Sequence, residues 1–218
     1  MPYFCGMQNP VIIFGANYLG RAAKEIFEQN KVVVYGFLDD DKKLHNTEVD
    51  DVAVLGATDD ETFLGLIGKK CEPFVATDDN RLRKSLVKML NAERKSQPCN
   101  AIHRGATVPS RSSIGYGNLI DDKVALGVGT HMGHHNIINA GATLGVGAKV
   151  GDFVQVGAGC AIGHDVVLED GAFIGAGVTI VSGVVIGKGA RVGAGSVVVA
   201  SVGEGETVFG NPAQKVKS

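Results

Sequence analysis

Two adjacent residues, His164 and Asp165, are the first candidates for chemistry in this sequence. An imidazole beside a carboxylate can act as a general base whose charged form is stabilised and whose tautomer is fixed. The competing reading of such a pair is a solvated polar corner. A second group, His131, His134 and His135, has the look of a metal cluster. It carries no cysteine or carboxylate at ligand spacing, so metal binding is not expected. Towards the other end of the chain, the apolar run Val11 to Phe14 leads into Gly15-Ala16-Asn17-Tyr18-Leu19-Gly20. A helix N-terminus behind a glycine turn presents free N–H groups to an anion. The GxxxxG spacing falls short of the full GxGxxG fingerprint, and a tight βα turn without a ligand fits it equally well.

The elements that must position these residues are set by a repeat. Stepping by six from Ile102 to Val198 meets seventeen residues, all aliphatic or Met, with no slip in register. The place four further on is small or Val throughout, except at Asn118 and Asn136. The place after the aliphatic residue is usually Gly. A fixed six-residue period is the signature of a β-helix. Each hexapeptide is one flat side of a triangular coil, with the aliphatic and small residues pointing inward and three sides to a turn. Seventeen sides make about five to six coils, a prism roughly 27 Å tall. No coil buries its inner face alone; stacking supplies the core. The third and fourth places of each hexapeptide then fall at corners and face outward, which is where His134-His135, Asp152-Phe153, His164-Asp165 and Asp170 stand.

Before the repeats the pattern differs. Residues 11–14 read as a strand, Ala22, Ala23, Ile26 and Phe27 as one face of a helix, and Val32 to Leu38 as a second strand ending in Asp39-Asp40-Asp41. A third strand is expected over 52–55, a short helix from Thr58 to Leu66 capped by Thr58 or Asp59, and a fourth strand over 73–77. A last helix, from Arg81 to about Ala92, would bury Leu82, Leu86, Met89 and Leu90. This is the opening of a parallel α/β sheet. The polar connector from Lys95 to Asn100, with Pro98, divides the chain into domains 1–98 and 99–218.

Composition bounds the function classes. The net charge of −2 gives no strong pull toward nucleic acid or an anionic membrane. Four cysteines, at positions 5, 71, 99 and 160, show no paired spacing, and Cys160 falls in the inward column. That points to a reducing compartment. The opening MPYFCGMQNP lacks a signal-peptide pattern and no window is apolar enough for a span, so a soluble cytoplasmic protein without membrane partners is expected.

The array resembles left-handed β-helix acyltransferases. The chain from about 11 to 216 is similar to the NeuD/PglD-type bacterial sugar acetyltransferases, through VIIFGANYLG, FLDDD, VATDDNRLRKSL, AIHRGATV, IGHDVVLED and the terminal GNPAQKV. The resemblance implies a Rossmann-like N-terminal domain that holds a sugar nucleotide, followed by a left-handed parallel β-helix. Three such helices would pack as a homotrimer with acetyl-CoA in the groove between two of them, and no metal. His164 matches the catalytic base and Asp165 the acid that orients it. The Ser182 backbone N–H would face the thioester oxygen. Ala194 and Gly195 would border the pantetheine arm, and Asn211, Pro212 and Ala213 the outer end of CoA. Gly15, Asn17, Asp39 and Asp40 match the sugar-nucleotide side. Asn17, Tyr18 and Leu19 replace the central residues of the usual GAGGHG loop. Phe173, on the cofactor side, stands where a second His is sometimes found, and Gln155, on the acceptor side, opens the segment where His-Ile-Asn is common. The implied activity is acetyl transfer from acetyl-CoA to an amine or hydroxyl of a sugar in surface glycan synthesis. A transferase for a non-sugar amine and a non-catalytic β-helix scaffold are the alternatives.

Overall fold

The computed structural model of the protein describes residues 9–216, so Cys5 and most of the opening segment lie outside the described residues. The chain forms two compact units, Met1–Arg104 and Gly105–Ser218. The connector at 95–100 lies inside the first.

The first unit is a five-stranded sheet. Its strands are β1 (Val11–Phe14), β2 (Val34–Leu38), β3 (Glu48–Val49), β4 (Val52–Gly56) and β5 (Glu72–Val75), in the order β3-β4-β2-β1-β5. All pairs are parallel except β3 with β4, an edge hairpin turned through Asp50 and Asp51, both at positive φ. Every residue of β1 is fully buried, as a central parallel strand covered on both faces requires. Helix α1 (Tyr18–Gln29) buries Leu19, Ala23, Ile26 and Phe27, and the Phe27 ring meets the edge of Phe74 at 5.5 Å. Helix α2 (Glu61–Leu64) is shorter than its sequence suggests and starts on Asp60.

Helix α3 (Asn80–Arg94) is capped by Asp79, and its buried face differs from the expected one. Leu82 is 41% exposed while Arg83 is 1% exposed. The Arg83 guanidinium donates to the Thr77 carbonyl at 2.7 Å and to the Asn80 side chain. Burial pulls its pKa down to about 10. A buried cation that ties down the loop after β5 has taken the place an apolar-periodicity argument gives to leucine.

The second unit is a left-handed parallel β-helix. Its strands are two residues long, and each pairs in parallel with the equivalent strand of the next coil: Ile137–Ile138 lies between Leu119–Ile120 and Gln155–Val156. Three sheets result, one per side of the prism. The aliphatic column is inside, with Ile120, Ile138, Val156, Ile174, Ile186 and Val192 fully buried. The small column is inside too, Cys160 included.

The two asparagines that interrupt the small column are as buried as their neighbours. Asn118 Oδ1 accepts from the Asn136 N–H at 2.8 Å, and Asn136 Oδ1 from the Val154 N–H at 2.6 Å. Asn118 Nδ2 donates to the Gly133 carbonyl at 3.0 Å. The side chains thus satisfy backbone donors that have no water to turn to. Substituting Asn118 with Ala strands the buried Asn136 N–H, and a loss of about 2 kcal/mol in urea unfolding is expected.

Glycine does two separate jobs in the coils. At the second place of a hexapeptide it provides room: a Cβ on Gly127 would sit 2.5 Å from the backbone of Gly145 and Val146 in the next coil. At the fourth place it provides conformation: Gly183 has φ +76 and open space where a Cβ would stand. The array ends in a hairpin. Strand Thr207–Gly210 continues the sheet of Arg191–Val192, and Ala213–Lys215 returns antiparallel to it across a cis Asn211–Pro212 bond. Among the described residues no helix is long and apolar enough to cross a membrane.

Candidate active site

His164 stands on one edge of the prism, in a column with Val128, Val146 and Ser182, each one coil from the next. The edge is exposed at His164, Asp165 and Ser182. Its backbone donors are capped from above. The Val146 N–H donates to His164 Nδ1 at 3.0 Å, and the His164 N–H to Ser182 Oγ at 3.0 Å. The column then stops: Ala200 offers no side-chain acceptor, and the Ser182 N–H has no partner among the described residues. An exposed imidazole and an unpartnered N–H therefore sit one coil apart on one edge, the first able to move a proton and the second able to meet a developing oxyanion.

A second edge shows what the capping is worth on its own. There Tyr116 N–H donates to His134 Nδ1 at 3.0 Å, His134 N–H to Asp152 Oδ1 at 2.7 Å, and Asp152 N–H to Asp170 Oδ1 at 2.8 Å. His134 also stacks on Tyr116, with ring centroids 5.5 Å apart. Histidine, aspartate and serine fill the same place with the same bond, so capping alone is a structural role. His131 faces outward on a sheet, with Nδ1 at 2.7 Å from Ser113 Oγ, and His135 is buried against Phe153.

Asp165 makes no hydrogen bond to His164 among the described residues. In this arrangement the Val146 N–H meets Nδ1. The Asp165 carboxylate lies over Gly147, one coil below. Its backbone has φ +53 where Gly129, Gly147 and Gly183 occupy the equivalent places. A non-glycine residue in that region carries a conformational cost, and such residues gather at functional sites.

The remaining expected cofactor residues, and Gln155 on the acceptor side, lie elsewhere on the prism. Gln155 and Phe173 are successive rungs of one face, and Ala194 and Gly195 form the edge beside that face. Asn211, Pro212 and Ala213 form the turn of the terminal hairpin. The sheet that carries Thr143, Ala161 and Thr179 separates the Ala194 edge from the His164 edge. One chain brings Ser182 to His164 and leaves the others one face away. Arg191 was not singled out from the sequence, although it lies one full coil after Phe173 and pairs with it. Its guanidinium is 4.3 Å from the centre of the Phe173 ring.

In the first unit the expected sugar-nucleotide residues have internal partners. Asn17 caps α1, accepting from Leu19 N–H and Gly20 N–H, and donates to the Ala76 carbonyl at 2.9 Å. Asp39 accepts from the N–H groups of Ala16 and Asp41, and Asp40 from both the N–H and the hydroxyl of Thr58. Gly15 has φ +113 and lies too close to the Ala76 carbonyl to carry a side chain. The Tyr18 hydroxyl donates to Asp78 at 2.5 Å and joins the loop after β1 to the loop after β5. Partial burial and the Asp78 carboxylate push the phenol up to about 12.

Comparison with known proteins agrees with this fold. Residues 10–90 match the PglD N-terminal domain, and residues 147–182 and 165–200 match the bacterial transferase hexapeptide (six repeats). PerB from Caulobacter crescentus, solved with CoA and GDP-perosamine, is 29% identical with a TM-score of 0.74 over 96% of this chain and 98% of that one. The chain thus joins a segment similar to the PglD N-terminal domain to a hexapeptide-repeat region of the bacterial transferases, and it is similar to PerB over nearly its whole length. Two other structures of similar fold are WeeI from Acinetobacter baumannii (25% identity, TM-score 0.85, 95% of this chain and 99% of that one) and the acetyltransferase domain of PglB from Neisseria gonorrhoeae in complex with acetyl coenzyme A (24%, 0.86, 95% and 99%). No curated protein sequence gives a significant match. These matches mark the chain as an acyltransferase.

Proposed function

We propose that this acyltransferase moves an acetyl group from acetyl-CoA to an amine or hydroxyl of a nucleotide-linked sugar, in the cytoplasm and in the service of surface glycan synthesis. The observation that carries the reading is the His164 edge, with its exposed imidazole and the unpartnered Ser182 N–H one coil above. The acceptor nitrogen or oxygen attacks the thioester carbonyl carbon and passes its proton to His164 Nε2. The Ser182 N–H steadies the oxyanion. The C–S bond then breaks, and the departing sulfur takes the proton back from Nε2.

The base needs an unprotonated Nε2. With Nδ1 accepting from Val146, a neutral ring carries its proton on Nε2. The ring therefore gives up the Val146 bond to reach its working tautomer, at a cost of about 1 kcal/mol. Asp165, the next residue, is the acceptor at hand for an Nδ1–H, and this accounts for a carboxylate held at a glycine-like backbone position.

The separation of His164 from Ala194 and Gly195 supports assembly as a homotrimer. A groove between two prisms brings one copy's His164 edge to the other's Ala194 edge. PerB was solved with a GDP-sugar and CoA together, which favours a nucleotide-linked acceptor. The internally satisfied loop at Asn17 and Asp39 favours an acceptor of another kind. Melting temperature with acetyl-CoA, then with UDP-, GDP- and CMP-sugars, separates these readings, since only a ligand of the native state stabilises it. A rise with acetyl-CoA and one nucleotide class is expected. A rise with acetyl-CoA alone would move the acceptor to a non-sugar amine, and no rise at all would leave a scaffold.

A further inference from the structure

The face that carries Gln155 and Phe173 continues one rung further to Arg191. Its guanidinium lies over the Phe173 ring, where the negative face of the ring attracts it and holds its planar fork in place. Arg191 is exposed and has no ion pair among the described residues. Three residues on begins the edge of Ala194 and Gly195. The coils below present Ala140, Ala158 and Ala176 at the same place, so no side chain larger than a methyl group rises along the edge beside the cation. Above it, the Phe209 ring lies against Gly193, so close that a Cβ there would strike it, and remains 60% exposed. A fixed cation thus stands at the rim of a smooth strip, with no carboxylate to neutralise it. Such a fork suits the paired oxygens of a phosphate.

From this placement we infer that Arg191 anchors a phosphate of coenzyme A and that Phe173 is a positioning residue that holds the anchor. The inference rests on the acetyl-CoA reading above. Coenzyme A carries its phosphates beyond the pantetheine arm, and the strip at Ala194 and Gly195 is where that arm would run. The Phe173 ring, which stands where relatives sometimes carry a histidine, has a use here that an imidazole cation would not allow, because a second positive charge would repel the guanidinium.

The test compares CoA with pantetheine, which has the same arm and no phosphate. Calorimetric titration of Arg191→Gln should show roughly a tenfold or greater loss in CoA affinity. Arg191→Lys should recover part of it, and Phe173→Leu should show a smaller loss in the same direction. The thermal shift given by millimolar pantetheine should be unchanged in all three. CoA affinity should also fall more steeply with salt in the unsubstituted protein than in Arg191→Gln. Equal CoA affinity in Arg191→Gln would overturn the assignment. So would an equal loss for CoA and pantetheine, which would mark a structural effect, or a loss confined to a nucleotide sugar. If the unsubstituted protein bound no CoA, the acetyl-CoA reading itself would fall, and the assignment with it.

Discussion

Replacing His164 with Asn lowers acetyl transfer by roughly 10²–10⁴ while the melting temperature stays close to that of the unsubstituted protein; this is the result expected if the imidazole moves the proton. Asn is the informative substitution because of what fills the equivalent places. Asp152 and Asp170 accept the N–H of the coil below through Oδ1, the bond that His164 makes through Nδ1. An Asn at 164 offers an Oδ1 in that position, so it keeps the cap and removes Nε2. His134 supplies the control. It makes the same Nδ1 bond at the same length on another edge, so His134→Asn should leave the rate unchanged. The measurement is initial rate with saturating acetyl-CoA and the acceptor found by thermal shift. Equal losses in the two variants would assign His164 a structural role and remove the proposed base.

The largest expected effect on stability comes from a methyl group in the wrong place. Gly127→Ala puts a Cβ 2.5 Å from the backbone of Gly145 and Val146. Backbone cannot turn aside as a side chain can, so the two coils must separate, at a cost of about 3 kcal/mol. Gly183→Ala meets nothing within 4 Å and costs only the left-handed backbone penalty, about 1 kcal/mol. Urea unfolding of the two variants separates the two glycine roles. If Gly183→Ala proved the more damaging, the stacking distance between coils would not be what the glycines protect.

The β-helix was legible because a period of six assigns inside and outside to each residue without knowledge of any partner. The same logic gives no reason for Asn118 and Asn136, which break the column by type and keep it by burial. Their use depends on which backbone donors a corner leaves open, and that is a property of backbone angles at Gly117, His135 and Phe153. His164 and Ser182 were legible as an outward pair one coil apart. The bond from Val146 to the imidazole was not, because a polar residue at a corner reads as solvated until its neighbour one coil away is considered. In the first unit, helix α3 is longer than the expected Arg81 to Ala92, and it buries the expected Leu86 and Leu90 but takes in Arg83 and Val87 rather than Leu82 and Met89. Periodicity weighs Leu82 above Arg83, and only the open Thr77 carbonyl explains the reversal. The internal bonds of Asn17 and Asp39 to the donors of the loop after β1 are likewise visible only in the fold, because they join residues whose pairing no local pattern specifies.

The pairing of every strand with its equivalent in the next coil has a consequence for how such a chain can change length. Losing a whole coil returns the chain to the same edge and leaves the columns above and below intact. Losing a single hexapeptide keeps every apolar residue inside, yet it turns everything beyond the cut by one side of the prism, so that Ser182 would no longer stand over His164. Hydrophobic patterning tolerates the loss of one side, whereas the site tolerates only the loss of three together. Descendants of this array should therefore differ by whole turns between the two residues, and by single sides only where no edge has work to do.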